Sequence, residues 1–269
     1  MHWIIQDGFF HERGMEEMKT LLEKYDIPHT VVKVVPFSGE IIPNIIPEGN
    51  VICFGSYSMR HTAKKNGWYP GVFDLEGISD QLFNSVNIWT KHLLNEDWVL
   101  CSFEDAGIVA ANLGLTEFFM RPVADSKVFA GNVFSTLEYD GWRYGVVELE
   151  EDDGTSLRKN TPCIVSKPKV IYSEYRLFVI GDVIVTASQY KINGRVKYKS
   201  LVDGDIIQFG KELIAEWPEF AAAYCLDLCR TNDGIKIVEV NTINSAGFYD
   251  ANVTKLIEAF TDIYWREEQ

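Results

Sequence analysis

The sequence predicts a mixed α/β (α+β) protein. A small N-terminal α/β domain, residues 1–94, is followed by a larger domain, residues 95–269, built mainly on antiparallel sheets. Three observations predict this. Short buried strands alternate with amphipathic helices through the N-terminal third. Farther on, Glu174–Tyr190 and Tyr224–Asn241 each read as two β runs around a polar turn. The length of 269 residues suits one large or two modest domains.

The elements follow in chain order. Trp3–Gln6 reads as a short buried strand. Met15, Met18, Leu22 and Tyr25 recur at helical spacing, so Gly14–Tyr25 reads as an amphipathic helix ended by Asp26-Ile27-Pro28. Thr30–Val35 is β-branched and strand-like up to Pro36. A loop rich in Pro, Gly and Asn runs to Asn50. Val51–Phe54 is a second buried strand, and Gly55-Ser56 opens a helix to Asn66-Gly67. That Gly-Ser turn is either an anion site at a helix N-terminus or simply a tight turn. Asp80–Leu94 reads as a helix, and the domain boundary falls there.

Trp98–Phe103 is a strand, Glu104–Leu113 a short helix, and Glu117–Pro122 a strand ended by its proline. Thr136–Gly154 is polar and acidic, hence exposed. Pro162–Ser166 is a buried strand leading into Lys167-Pro168-Lys169. The hairpin 174–190 turns at Gly181-Asp182. Lys191–Lys199 gathers basic residues around Asn193-Gly194. Asp205–Glu216 is helical up to Trp217-Pro218. Asp250 caps a last helix with an apolar stripe of Val253, Leu256, Ile257, Phe260 and Tyr264.

Composition narrows the function classes. The net charge is −14, which repels nucleic acid and anionic membranes, so an anionic ligand needs a local basic patch. No apolar run is long enough to span a bilayer, and MHWIIQDGFFHERG is not a signal peptide. Five scattered cysteines, Cys53, Cys101, Cys163, Cys225 and Cys229, argue against a disulfide framework and for the cytoplasm. Cys225 and Cys229 share a strand face, but no further Cys or His completes a zinc pattern.

Tyr224–Tyr249, YCLDLCRTNDGIKIVEVNTINSAGFY, carries the chemistry. Glu239 and Asn241 share a strand face, and Asp227 lies on the strand opposite. Register decides whether the three meet. A two-residue Asp233-Gly234 loop would put Asp227 opposite Val240. A three-residue loop, Asn232-Asp233-Gly234 with left-handed Gly234, puts it opposite Glu239, and that loop is the prediction. The resulting cluster of oxygen ligands suits Mg²⁺ shared with nucleotide phosphates; otherwise the hairpin simply shows polar residues to water. Basic residues fall where such phosphates would need them. Arg121 closes a strand, Lys127 sits in a small-residue loop, and Arg176 shares a face with Glu174. A two-residue Gly181-Asp182 turn adds Gln189 and Lys191 to that face. Arg195, Lys197 and Lys199 read first as a solvated hairpin and second as a substrate clamp.

From Trp98 onward the chain resembles an ATP-grasp domain. The ordered matches are FMRPVADSKVFAG, CIVSKPK, EYRLFVIGDVIVTASQYK and the 224–249 stretch. The resemblance implies a small pre-ATP-grasp domain followed by a two-subdomain ATP-grasp fold, with ATP and Mg²⁺ as cofactors. It assigns Asp227, Glu239 and Asn241 to magnesium and Arg176, with Arg121 and Lys127, to the phosphates. It assigns Ser166, Lys167 and Pro168 to the adenine linker, with Glu174 toward the ribose; Lys169 and Lys191 are counted with them as nucleotide-binding candidates. Asn244, Ser245, Ala246 and Gly247 match the substrate-side loop. The usual lysine of the Lys-Pro strand is Arg121, a departure similar to a clade common in phages and bacteria; arginine keeps the charge and adds a forked donor. Lys91 is the candidate for the earlier lysine of typical members.

The implied activity is an ATP-dependent carboxylate–amine (or carboxylate–thiol) ligase. A substrate carboxylate, on a small molecule or a protein tail, would be phosphorylated and then captured by an amine. The rivals are an ATP-grasp phosphotransferase and a non-catalytic nucleotide-binding module. The implied location is the cytoplasm, the host's if the chain is phage-encoded.

Overall fold

Alternating apolar residues and turn chemistry set most of the elements where the sequence places them. The computed structural model describes residues 1–9, 13–75, 89–123, 128–149 and 156–265. Contacts divide the chain into two compact units, Met1–Leu75 with Ile171–Gln269, and Glu76–Val170. The boundary read from the sequence divides the chain at 94/95, in chain order. Compactness does not, because residues 1–75 share a core with the carboxy-terminal part of the chain.

The N-terminal part of the first unit is a five-stranded sheet in the order β3-β2-β1-β4-β5. Its strands are β1 (His2–Gln6), β2 (His29–Val34), β3 (Ile41–Ile42), β4 (Val51–Phe54) and β5 (Pro70–Gly71). All its pairings are parallel except β2 with β3. Helix α1 (Arg13–Lys24) buries Met15, Met18 and Leu22, the spacing read from sequence. Helix α2 (Met59–Asn66) ends at left-handed Gly67. The expected helix over Asp80–Leu94 falls mostly outside the described residues; Thr90–His92 forms a 3₁₀ turn.

The second unit holds a four-stranded antiparallel sheet, β6-β9-β7-β8. These strands are β6 (Val99–Ser102), β7 (Glu117–Pro122), β8 (Asn132–Ser135) and β9 (Pro162–Ser166). Helices α3 (Ala106–Asn112) and α4 (Thr136–Glu148) belong to the same unit. Helix α4 corrects the expectation of an exposed polar stretch. Ser135 accepts from the Glu138 N–H while the Glu138 carboxylate takes the Ser135 N–H, a capping box that starts the helix. Tyr139, on its first turns, is buried against Phe103 and Phe118.

The carboxy-terminal part of the first unit is an antiparallel sheet in the order β12-β11-β10-β13-β14. Its strands are β10 (Ile171–Ile180), β11 (Val183–Ile192), β12 (Arg195–Lys199), β13 (Ala223–Thr231) and β14 (Gly234–Asn241). Helix α5 is Gly204–Glu216 and α6 is Val253–Tyr264. The α6 stripe of Val253, Leu256, Ile257, Phe260 and Tyr264 is buried as read. Its cap is Asn252, accepting from the Lys255 N–H; Asp250, the expected cap, instead accepts from the Ser200 N–H.

One core joins both parts of this unit. Trp3 stacks on Phe54, Phe54 on Phe248, and Phe248 on Phe178, with centroids 5.7, 5.9 and 6.0 Å apart. A Cβ on Gly14 would lie 2.6 Å from Phe248, so α1 packs there only because residue 14 has no side chain. All five cysteines are free thiols, and among the described residues no helix is long and apolar enough to cross a membrane.

Candidate functional site

The β13–β14 hairpin brings together the residues read as metal ligands. Asp227 pairs with Glu239 and Cys225 with Asn241. The Asn241 amide nitrogen lies 2.9 Å from Glu239 Oε1 and 3.4 Å from Asp227 Oδ2. The route to that register differs from the expectation. Thr231 pairs with Gly234, so the loop is the two residues Asn232-Asp233. Gly234 does have positive φ, 101°, but as a strand residue. The missing step is supplied by a β-bulge, since Leu228 pairs with Ile237 and Asp227 with Glu239, leaving Val238 unpaired.

Arg176 enters from β10, directly opposite Asp227. Its Nε and Nη2 donate to Asp227 Oδ1 and Oδ2 at 2.8 and 2.7 Å, a bidentate pair. Its Nη1 donates to the Gly247 carbonyl at 3.3 Å. Burial works against the Arg176 charge, but the Asp227 carboxylate outweighs it and keeps the guanidinium protonated. Burial pushes the Asp227 carboxyl up, to about 6; Arg176 opposes that shift, and the Glu239 charge adds to it.

Two tyrosines complete the surroundings of Arg176, and sequence reading missed both. The guanidinium lies 5.0 Å from the Tyr249 ring centre and 5.9 Å from that of Tyr190. The two rings stack at 4.8 Å, and Tyr198 of β12 lies 5.2 Å from Tyr249. Tyr190 donates to Glu174 Oε2 at 2.9 Å. Burial, with the Asp227 and Glu174 charges, pushes its phenol well up, so it stays a neutral donor. Tyr249 has a left-handed backbone, φ 57°, which is unusual for a bulky side chain. A tyrosine following Ser-Ala-Gly-Phe was the available signal.

The β10–β11 register departs from the simple hairpin. The Gly181-Asp182 turn has two residues as read, but Val185 and Tyr190 are each left unpaired by bulges. Lys191 therefore meets Glu174, with Nζ 3.2 Å from Oε1. Gln189, expected on that face, instead pairs with Tyr175 on the other face, and its amide donates to the Lys197 carbonyl.

The substrate-side loop follows β14 as a 3₁₀ turn, Ile243–Ser245. Asn244 is buried: it accepts from the Phe73 N–H at 2.7 Å and donates to the Cys53 carbonyl. Its own carbonyl accepts the Gly55 N–H at 2.9 Å, and the Ser56 N–H is taken by Gln6 Oε1 at 2.7 Å. The Gly55-Ser56 turn thus spends these donors within the protein rather than on an anion. Ala246 is buried, while Ser245 and Gly247 are half-buried.

The remaining candidates lie in the second unit. Arg121 is half-buried on β7, and its Nε donates to the Pro122 carbonyl at 3.2 Å. Ser166, at the end of β9, is buried and donates to Asn95 Oδ1 at 3.2 Å. Lys167 is exposed, Pro168 is half-buried, and Lys169 reaches Asp97 at 3.0 Å. Lys127 lies outside the described residues. Lys91, on the 3₁₀ turn, is exposed and belongs to the second unit.

The donor set fits a hard divalent cation. Among the described residues no group of three or more His, Cys, Asp or Glu is placed to hold a metal. Asp227 and Glu239 offer two carboxylates and Asn241 an amide. Glu239 and Asn241 are only half-buried, and Asp227 Oδ1 keeps a lone pair beyond its Arg176 bond, whereas Oδ2 accepts from both Arg176 and Asn241. Few protein oxygens, with the rest of the shell left to water or phosphate, is how Mg²⁺ is usually held.

Known proteins agree with this architecture. No curated protein matches the sequence. The D-alanine–D-alanine ligase from Bacillus anthracis, complexed with ATP, superposes with a TM-score of 0.64 at 12% identity, over 100% of this chain and 99% of that one. A RimK domain ATP-grasp protein from Sphaerobacter thermophilus gives 0.60 at 12% identity, over 89% and 90%. The ATP-grasp ligase PsnB, complexed with a minimal precursor, gives 0.58 at 12% identity, over 97% and 98%. At such identity the likeness is one of fold. The sequence itself matches, over residues 56–262, the family model of an ATP-grasp domain, the third family of its clade, and the chain therefore belongs to that family of ATP-grasp domains.

Proposed function

We propose that this protein is an ATP-dependent carboxylate–amine (or carboxylate–thiol) ligase. The observation that carries the reading is the joining of Asp227, Glu239 and Asn241 on neighbouring strands, with Arg176 fixed against Asp227. Family membership supports it.

Asp227, Glu239 and Asn241 would hold Mg²⁺, which when bound neutralises phosphate charge. Arg176 keeps Asp227 oriented and ionised. Glu174 and Lys191, paired across β10 and β11, are proposed to meet the ribose or a phosphate. Arg121, Lys127, Ser166, Lys167, Pro168 and Lys169 are proposed as nucleotide contacts on the strength of the family match. Gly247, whose carbonyl is held by Arg176, and Ser245 are the substrate-side positions. Asn244 and Ala246 support that loop from within the core. The domain division 1–94 and 95–269, with the first part shaping the substrate site, belongs to the same proposal.

The chemistry follows from leaving groups. A free carboxylate would have to expel oxide. The carboxylate oxygen attacks the γ-phosphorus and displaces ADP, giving an acyl phosphate. The amine then attacks the carbonyl carbon and expels phosphate, losing a proton as the amide forms. The protein's part is positioning and charge neutralisation.

The test is ADP release over paired carboxylates and amines, with Glu239→Ala as control. Sustained release needing both partners, abolished by Glu239→Ala, supports the ligase. Release needing one acceptor alone identifies a phosphotransferase, and nucleotide binding without turnover identifies a binding module.

A further inference from the structure

The outer edge of the carboxy-terminal sheet carries a feature that nucleotide chemistry leaves unused. Strand β12 ends the sheet, and all five of its residues, Arg195-Val196-Lys197-Tyr198-Lys199, are exposed. The tight turn before it is fixed by positive φ at both Asn193 and Gly194, 48° and 72°. Alternation puts Arg195, Lys197 and Lys199 on one face and Val196 and Tyr198 on the other. Tyr198 packs on Tyr249, so that second face is the one bearing Arg176 and Asp227. None of the three cations is in an ion pair among the described residues. The Lys197 and Lys199 carbonyls turn toward β11, accepting from Gln189 Nε2 and Ser188 Oγ at 3.4 and 3.2 Å. Val196 pairs with Lys191 but Lys199 with Gln189, so a bulge leaves one residue between them unpaired; the Val196 peptide group, next to the inward Lys197 carbonyl, faces outward, where a further strand would hydrogen-bond.

We infer that β12 docks an extended acidic peptide as an added strand. Added strands gain affinity from main-chain bonds and selectivity from alternate side chains. Carboxylates at every second position meet Arg195, Lys197 and Lys199; apolar residues between them meet Val196 and Tyr198. Charge selects this partner, because the chain carries −14 overall and three cations on this one short strand. The consequence, that the carboxylate-bearing substrate is a peptide, rests on the ligase reading; the docking does not.

The experiment measures binding without nucleotide, so its failure is distinct from a failure of the ligase reading. A short fluorescent alternating Glu-Val peptide is titrated with the full chain and followed by anisotropy. Replacing its Glu by Gln is expected to weaken binding about tenfold or more. The protein variant Arg195→Gln/Lys197→Gln/Lys199→Gln is expected to do the same, and Val196→Pro, which removes an outward N–H, likewise about tenfold. If Val196→Pro fails the check of its folding by circular dichroism, Lys197→Glu replaces it with the same expected loss. Equal binding by a peptide with its Glu and Val in separate blocks overturns strand addition. Equal binding by polyphosphate or single-stranded DNA overturns peptide selectivity. Self-association through this edge, abolished by Val196→Pro, overturns the choice of partner. No binding at all leaves the cations as a device that keeps edges apart, and overturns the proposal.

Discussion

Arg176 closes on both carboxylate oxygens of Asp227, and neither residue is more than 6% exposed. Two charges removed from water hold each other in place, so each is costly to the fold without the other. Arg176→Leu or Asp227→Leu alone is expected to destabilise by about 3–5 kcal/mol, and the double variant by distinctly less. Urea unfolding of the four proteins measures this. Additive losses would show that the pair is not a unit.

Glu239 faces the same cluster from a half-buried position. Glu239→Gln should leave the melting temperature nearly unchanged while weakening Mg²⁺-dependent ATP binding about tenfold or more, as loss of a charged ligand does. Calorimetry with and without Mg²⁺ separates the two effects. Unchanged affinity would remove Glu239 from the metal site.

Acidity should govern the cation. Asp227 is raised to about 6 by burial, so the folded state binds its proton more tightly than the unfolded chain. By itself this group favours the fold most at pH below its ordinary range, and that contribution is lost as pH rises through about 6. A divalent ion needs the carboxylate and has the opposite dependence. Mg²⁺·ATP affinity should therefore hold above about pH 6 and fall roughly tenfold per unit below it. Thermal shifts on adding Mg²⁺·ATP across that range read this directly, and a flat profile would contradict it.

Asn244 is a structural joint before it is anything else. Its amide answers the Phe73 N–H and the Cys53 carbonyl inside the core. Asn244→Ala leaves both without that partner and is expected to cost about 2–6 kcal/mol, each buried group contributing about 1–3 kcal/mol. A variant of full stability would show that water replaces the amide and would return Asn244 to the substrate list.

The hairpins show what local chemistry makes legible. Gly181-Asp182 and Asn193-Gly194 turn where the sequence places them, and the α6 stripe is buried as read. Register is a different matter. The pairing of Asp227 with Glu239 comes from Val238 being left out, not from a longer loop. Tyr190 likewise reaches Arg176 because it is squeezed out of the β10–β11 ladder. A bulge depends on how a whole sheet twists and packs, and no short motif announces it.

The elements, their amphipathic faces and the order of chemically distinctive residues can all be read along the chain, because periodicity and turn preference act over a few neighbours. Two outcomes cannot be read that way: residues 1–75 share a core with the carboxy-terminal sheet, and Tyr249 stacks beside the residue holding Asp227. Both depend on packing between segments far apart in sequence, where shape and burial choose among partners that local preference leaves equivalent.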